Sequence, residues 1–353
     1  MPREGRLPSR TLPRIFETKE RQPRLRRPLA GDNHPAMRRL RTLSEMTPSL
    51  RGASAAIGNF DGVHLGHQAV IGLARDEARA TGAPLGVLTF EPHPREWFAP
   101  DAPPFRLMSA DAKAHRLQKL GVDLLVELPF DARLAALTPE AFVREVLVDG
   151  LGLGHAVVGS DFRFGRDRAG SADTLRDLGR ARGLAITVAP MLATGDVEVS
   201  STAIREALSE GRPRDAARML GHWHRVEGPV LHGEKRGRTL GYPTANLSLD
   251  GLHLPRFGVY AVSVDVLDGP HAGERHPGAA SVGVRPQFGG ETPNCEVFLL
   301  DFQGDLYGAT LSVALVDYLR PEMTFDGLPG LIAQMDADVG RAREILAPLL
   351  AHA

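Results

Sequence analysis

Two histidines, His64 and His67, flank a glycine in the run Gly58-Asn-Phe-Asp-Gly-Val-His-Leu-Gly-His67. The run follows a short apolar stretch and precedes a helical pattern that begins near Gly66. Free backbone amides and the positive dipole end make a helix start a natural phosphate site. Gly66 lets a bulky anion approach the backbone. Two imidazoles at that place can stabilise charge building on an α-phosphate under in-line attack, with no covalent intermediate. A lone histidine there reads as a surface or capping residue; a pair around a glycine favours the chemistry. A second helix opens at Ser200-Ser-Thr-Ala-Ile-Arg205. Its serines suit an N-cap, and Arg205, one turn inside, is placed for its guanidinium to reach a phosphate at the same helix start. Asp161 and Arg163, in the loop Gly159-Ser-Asp-Phe-Arg-Phe-Gly165, are placed to shape the acceptor side, with a turn role for Asp161 nearly as good a reading. His93, between two prolines in Glu91-Pro-His-Pro94, reads as readily as structural.

A different chemistry is suggested further on. In Gly237-Arg-Thr-Leu-Gly-Tyr-Pro-Thr-Ala-Asn246 the glycines permit tight turns, and Thr244 and Asn246 offer the oxygen ligands magnesium prefers. Such a cluster on its own is commonly just a turn. Glu296 opens an apolar strand pattern, Glu296–Phe302, and alternation places it on one face with Phe298, Leu300 and Phe302. A carboxylate buried on that face has a raised pKa and suits a general base for a sugar-like hydroxyl. At a strand tip in water it would be an ordinary surface acid. Neither Gly165-Arg-Asp-Arg-Ala-Gly-Ser171 nor Gly233-Glu-Lys-Arg-Gly-Arg-Thr239 has the lysine and spacing of a P-loop.

Residues 55–210 alternate apolar runs with helical stretches. Strands are expected at Ala55–Ile57, Leu85–Phe90, Val122–Leu128, His155–Gly159 and Ala185–Ala189, with helices near 67–80, 110–120, 139–149 and 171–182. That alternation predicts an α/β fold with a parallel sheet and ligands beyond its C-terminal strand ends. After about Gly221 the texture becomes Gly- and Pro-punctuated β runs, Val259–Val266, Glu296–Phe302 and Leu311–Leu319, as in an antiparallel sheet or small barrel. Leu328, Leu331, Ile332, Met335, Val339, Ala342 and Leu346 recur at helical spacing and mark an amphipathic helix packed on it. The boundary falls near 210–226, where Gly211, Arg212, Pro213 and Arg214 interrupt the pattern.

The length of 353 residues favours two domains, and a net charge of −1 gives no global attraction for nucleic acid or an anionic membrane. One cysteine, Cys295, excludes an internal disulfide and fits a cytoplasmic protein. No apolar run approaches a membrane span. Residues 1–36 hold eight arginines and six prolines and are expected to be a disordered basic extension. The sequence leaves a homo-oligomer open.

Residues 37–221 resemble the FMN adenylyltransferase half of bacterial bifunctional riboflavin kinase/FAD synthetases. The resemblance rests on residues 51–67 and 200–205, Phe90-Glu-Pro-His-Pro94, Leu107-Met-Ser with Lys113, Thr138-Pro-Glu-Ala-Phe142 and Val158–Gly165. It implies a Rossmann-like nucleotidyltransferase fold. Gly58, Phe60, His64, His67, Ser201, Thr202 and Arg205 would contact ATP, with Asp161 near the flavin or adenine. Residues 222–353 resemble the riboflavin kinase half, through Gly237–Leu247, Phe257–Tyr260, Ser281–Gly283 and Glu296–Gly308. That implies a six-stranded antiparallel barrel in which Thr244 and Asn246 hold Mg-ATP. Glu296 would then accept the proton of the ribityl hydroxyl. One stretch departs from the family pattern: Gly283-Val-Arg-Pro-Gln-Phe-Gly289 carries Arg285 and Gln287 where Gly-x-Asn-Pro-Thr-Phe-Gly is usual. Riboflavin, FMN and ATP are the implied small-molecule partners. An adenylyltransferase for another phosphate acceptor and a non-catalytic nucleotide-binding regulator are the competing readings.

Overall fold

A computed structural model describes residues 37–194, 197–232, 241–287 and 290–350. The expected basic extension, the segment Gly237–Leu240 and Phe288–Gly289 lie outside the described residues, as do the side chains of Arg285 and Gln287.

Among the described residues the N-terminal body has ten strands, in chain order β1 (Arg38–Leu40), β2 (Ser54–Ile57), β3 (Leu85–Glu91), β4 (Leu124–Pro129), β5 (His155–Gly159), β6 (Arg163–Phe164), β7 (Gly170–Ser171), β8 (Ala185–Ala189), β9 (Ala193–Thr194) and β10 (Val197–Glu198). Six of them pair in parallel in the order β1-β4-β3-β2-β5-β8. The remaining four form two small antiparallel hairpins. Parallel strands covered on both faces need near-continuous apolar sequence, and β2 to β5 have it. Ala56, Val87, Leu125 and Val157 face one side and pack on Ile71, Ala74, Ala78 and Leu117. These come from helices α1 (Leu65–Thr81) and α3 (Ala110–Lys119); the short α2 (Pro94–Phe98) lies between. Ile57, Leu88, Val126 and Val158 face the other side. Strand order reverses between β2 and β5, so a crevice opens beyond their C-terminal ends.

Two departures from the sequence reading are instructive. Strand β1 was not foreseen, because two of its three residues are arginines at a sheet edge. The helix expected over 139–149 follows α4 (Ala132–Ala135) as one short turn, α5 (Pro139–Ala141), and then continues as a π-helix over Phe142–Gly150. The wider turn buries Phe142, Val143, Val146 and Leu147 together. It also brings the Glu145 carbonyl so close to Gly150 that a Cβ there would sit 2.7 Å away.

Helices α6 (Ala172–Arg180), α7 (Ser201–Ser209) and α8 (Pro213–Leu220) complete this body. Helix α8 starts at the Gly211–Arg214 interruption and bridges onward. Ala216, Met219 and Leu220 pack with α7, while Ala217 packs with the next body.

That body is a six-stranded antiparallel barrel. Its strands are β11 (Arg225–Pro229), β12 (Thr244–Ser248), β13 (Gly258–Val266), β14 (Arg275–Gln287), β15 (Gly290–Leu299) and β16 (Thr310–Arg320). They run in the order β11-β16-β13-β14-β15-β12. The Leu231 N–H donates to the Asn246 carbonyl at 2.8 Å, and this bridge closes the ring. Alternate residues such as Val262, Val282, Cys295, Val297 and Val313 fill the interior. The C-terminal helix α9 (Leu328–Leu350) lays Ala342 and Leu346 on Ala261, Ala314 and Val316 of the outer face, as its spacing predicts, whereas Leu328, the first residue of that stripe, is exposed. No helix among the described residues is long and apolar enough to cross a membrane.

Candidate active sites

Loop Gly58–His64 leaves β2 at the crevice. Phe60 and Val63 hold positive φ values of 52° and 44°, a conformation costly for a β-branched or bulky residue. Such a backbone persists only when its surroundings over-determine it, and here they do. The Asn59 carbonyl accepts from Lys113 Nζ at 3.3 Å and Thr89 Oγ1 at 3.1 Å. The Asp61 carbonyl accepts from Ser201 Oγ at 2.9 Å, and the Val63 carbonyl from Gln68 Nε2 at 2.8 Å.

His64 caps α1, its Nδ1 accepting the His67 N–H at 3.3 Å. The two rings stack with centroids 3.6 Å apart. Burial, reinforced by Arg205, pulls the His64 pKa down to about 4. Burial, then His64 and Lys113, pulls His67 well below its ordinary value. Both rings are therefore neutral near pH 7. His67 Nδ1 is buried with no hydrogen-bond partner. A buried orphan of this kind needs an explanation, and a ligand atom is one.

Helix α7 meets α1 here. Ser200 caps it, accepting the Ala203 N–H, and the Val199 carbonyl lies 3.8 Å from the position of a Cβ on Gly66. Two helix starts thus converge, with Thr202 exposed in the first turn of α7. Arg205, placed by its spacing to reach a phosphate at this helix start, is already engaged within the protein. Its guanidinium pairs with Asp61 at 2.5 Å, donates to the Phe105 carbonyl at 2.6 Å and lies over the Phe105 ring. It therefore sets the loop in place as well as charging the crevice. Asp61, missed from sequence, is buried and also accepts the Leu107 N–H at 2.8 Å. Burial raises its pKa more than Arg205 and that N–H lower it.

Phe60 is 1% exposed and packs edge-on against His67 at 5.2 Å, so it supports the imidazole and offers no open surface to a nucleotide. Gly58 anchors the loop to β3 by donating to the Leu88 carbonyl at 3.1 Å. Asp161 stands exposed just past β5. His93 takes the structural option: it caps α2 in a capping box with Glu96. Sequence reasoning missed a second buried group, Glu91 with Lys113 (2.7 Å) and Arg106. It also missed the exposed aromatics Trp97 (41%) and Phe98 (69%), of which Phe98 packs edge-on against Phe130 at 5.7 Å to form a ledge.

On the barrel, Asn246 sits directly across from Glu296, and Thr244 across from Phe298. Ser281 of β14 is Glu296's neighbour on its other side. The strand face expected for Glu296 needs correction. Cys295, Val297 and Leu299 point inward, so Glu296 and Phe298 lie on the half-buried outer face beside Asn246 and Asn294. The strand ends at Leu299, and Asp301, at φ 59°, breaks the alternation that grouped Glu296 with Leu300 and Phe302. Asn294 Nδ2 lies 3.4 Å from both Asn246 Oδ1 and Glu296 Oε1. Tyr242 packs on Phe298 at 5.0 Å and donates to Asp336 of α9. A cavity of about 580 Å³, lined among the described residues by Glu322, Met323 and Thr324, opens nearby. The Glu322 carboxylate occupies the space a side chain at Gly283 would fill, and Gly283 pairs with Asn294.

Two family models match this chain, that of FAD synthetase over residues 46–203 and that of riboflavin kinase over residues 220–346. The chain belongs to the bifunctional riboflavin kinase/FMN adenylyltransferase family. The Pseudomonas fluorescens member is 44% identical over 88% of this chain and 99% of its own. The Escherichia coli K12 member is 42% identical over 83% and 92%. A solved structure from Streptococcus pneumoniae, named a macrolide-efflux protein, superposes with a TM-score of 0.74. It is 31% identical and covers 87% of this chain and 99% of its own. The competing reading of a transferase for some other acceptor fused to an unrelated β domain falls with the riboflavin kinase match.

Proposed function

We propose that the crevice of the parallel sheet, within a domain of residues 37–221, is the adenylyl-transfer site, and that the outer barrel face of residues 222–353 is the kinase site. Riboflavin kinase and FMN adenylyltransferase are the family's two activities, and ATP serves both. In the crevice, the FMN phosphate oxygen attacks the α-phosphorus of ATP and pyrophosphate leaves. The converging starts of α1 and α7, with Ser201 and Thr202, face the phosphates. His67, through its unpartnered Nδ1, and His64 oppose the charge that grows in the transition state. The orphaned His67 nitrogen between two helix starts is the observation that carries this reading. Phe98 and Phe130 form a ledge suited to the isoalloxazine, and Asp161, exposed past β5, lies at the C-terminal edge of the same sheet.

On the barrel, the Glu296 carboxylate takes the proton of the ribityl hydroxyl as that oxygen attacks the γ-phosphorus, and ADP leaves. Thr244 and Asn246 supply neutral oxygens of the kind magnesium accepts, with substrate phosphates and water to complete the shell. When bound, the ion neutralises phosphate charge. The neutral balance of the chain and its small-molecule substrates support a cytoplasmic enzyme that binds neither nucleic acid nor membrane. Chromatography of products from riboflavin, ATP and Mg²⁺ tests the reading: FMN should appear first and FAD after it. FAD from added FMN but no FMN from riboflavin would refute the kinase assignment.

A further inference from the structure

Three carbonyls of the Gly58–His64 loop are held by α1, α3, α7 and β3, all parts of the N-terminal body. A fourth, that of Gly62, meets a side chain from elsewhere. His222 lies past α8, just before β11, in the region that matches the riboflavin kinase model. Its Nε2 is 3.1 Å from the Gly62 carbonyl, and its Nδ1 is 2.8 Å from the Trp223 carbonyl. Gly62 itself has φ +84° and is wedged between Leu107 and Leu220, so neither backbone nor space tolerates a side chain there. Gln68 ties the same corner by donating to both Val63 and Leu220 carbonyls at 2.8 Å. Leu220, the last residue of α8, and His222, two residues further on, are thus built into the histidine loop.

We propose that His222 is a positioning residue for adenylyl transfer, its Nε2–H fixing the Gly62 carbonyl and through it the placement of His64 and His67. The inference rests on the crevice being the adenylyl-transfer site. Burial, with Arg116 adding to it, pulls the His222 pKa down to about 3, so the ring is neutral and carries a single N–H. That proton can serve only one of the two carbonyls. The Gly62 carbonyl belongs to a backbone held at positive φ on both sides, and losing its donor would let residues 60–63 relax. The peptide carrying it lies two residues from His64, whose own ring fixes His67. A segment of the kinase half therefore completes the site of the other half.

Substitution separates this role from simple packing. In H222Q the side-chain amide can reach the position of Nε2, whereas in H222N it reaches only that of Nδ1. H222N should lower kcat for FAD formation from FMN about 10- to 100-fold, the cost of roughly 1 Å misplacement. KM for FMN should stay within about 2-fold, as the substitution displaces a catalytic loop and leaves the flavin ledge alone. H222Q should stay within about 3-fold of wild type in kcat. FMN formation from riboflavin, assayed in the same preparations, should be unchanged in both. Activity of H222N equal to wild type would overturn the proposal. So would H222N outperforming H222Q, which would place the proton on Nδ1. Equal loss of both activities in both variants would show that His222 merely holds the junction together, and would overturn it too. If H67A, in parallel, leaves FAD formation intact, the site assignment itself fails, a result distinguishable from failure at His222 alone.

Discussion

Replacing Glu91 by glutamine removes the charge that balances two buried cations at the edge of the crevice. The Glu91 side chain is 19% exposed and Lys113 5%, with their charged atoms 2.7 Å apart. Arg106, the other partner, keeps Glu96 at 3.0 Å, so Lys113 bears most of the loss. Its remaining contacts are uncharged oxygens, the Asn59 carbonyl and Thr89 Oγ1, each at 3.3 Å. Stranding one member of a buried pair costs about 3–5 kcal/mol. The amide still offers an oxygen, so E91Q belongs at the lower end, about 3 kcal/mol. For a domain of this size that is a fall of about 6–12 °C in Tm. Differential scanning calorimetry at pH 7.5 measures it. The double variant E91Q/K113M removes both charges and should recover part of the loss, because the two sites are coupled. Glu91 also fixes a pH dependence. Burial pushes its pKa up, but Lys113 and Arg106 together hold it below the usual carboxylate value. The stabilisation is thus complete above the unfolded value near 4.5 and is lost as pH falls through the lower folded value. Wild type should show that acid limb and E91Q should not. A Tm within about 2 °C of wild type, or additive single and double variants, would refute the electrostatic account.

The remaining expectations are briefer. The pKa of His64 is lowered to about 4, so stability should decline as pH falls from 6.5 toward 4, where the unfolded chain gains a proton and the folded one does not. H64N should flatten that limb in urea titrations. Because both site histidines are already neutral, kcat/KM for ATP in FAD synthesis should show no histidine inflection between about pH 6 and 8; a steep one would mean charged imidazoles in the free enzyme. F98A should raise KM for FMN about 5-fold in adenylyl transfer, for the loss of about 1 kcal/mol of aromatic stacking, and leave KM for riboflavin in the kinase step unchanged. Chelation of divalent cations should stop both reactions, and N246A should raise the magnesium requirement of FMN formation alone.

Much of this was legible in sequence because the signals were local. The Leu–Gly–His context after an apolar strand gave a helix start with two imidazoles, and Ser200 gave the second start. The α9 face followed from Ala342 and Leu346. Non-local pairings were not legible: Asp61 finds Arg205, and Glu91 finds Lys113, only once the chain is folded. Period-two reasoning placed Glu296 with Phe298 correctly but could not say which strand face turns outward. Cys295 and Val297 take the interior, and the alternation stops at Leu299. The π-helical turn over Phe142–Gly150 escaped because its apolar residues satisfy a 3.6-residue period nearly as well.

The most direct test of two separate sites on one chain is a reciprocal pair of variants, each assayed for both products. H67A should cut FAD formation from FMN by about 10²–10³-fold and leave FMN formation from riboflavin at the wild-type rate. E296Q should cut FMN formation by about 10²–10⁴-fold and leave FAD formation intact. If either folded variant lost both activities together, or lost the activity assigned to the other half, the account would be contradicted.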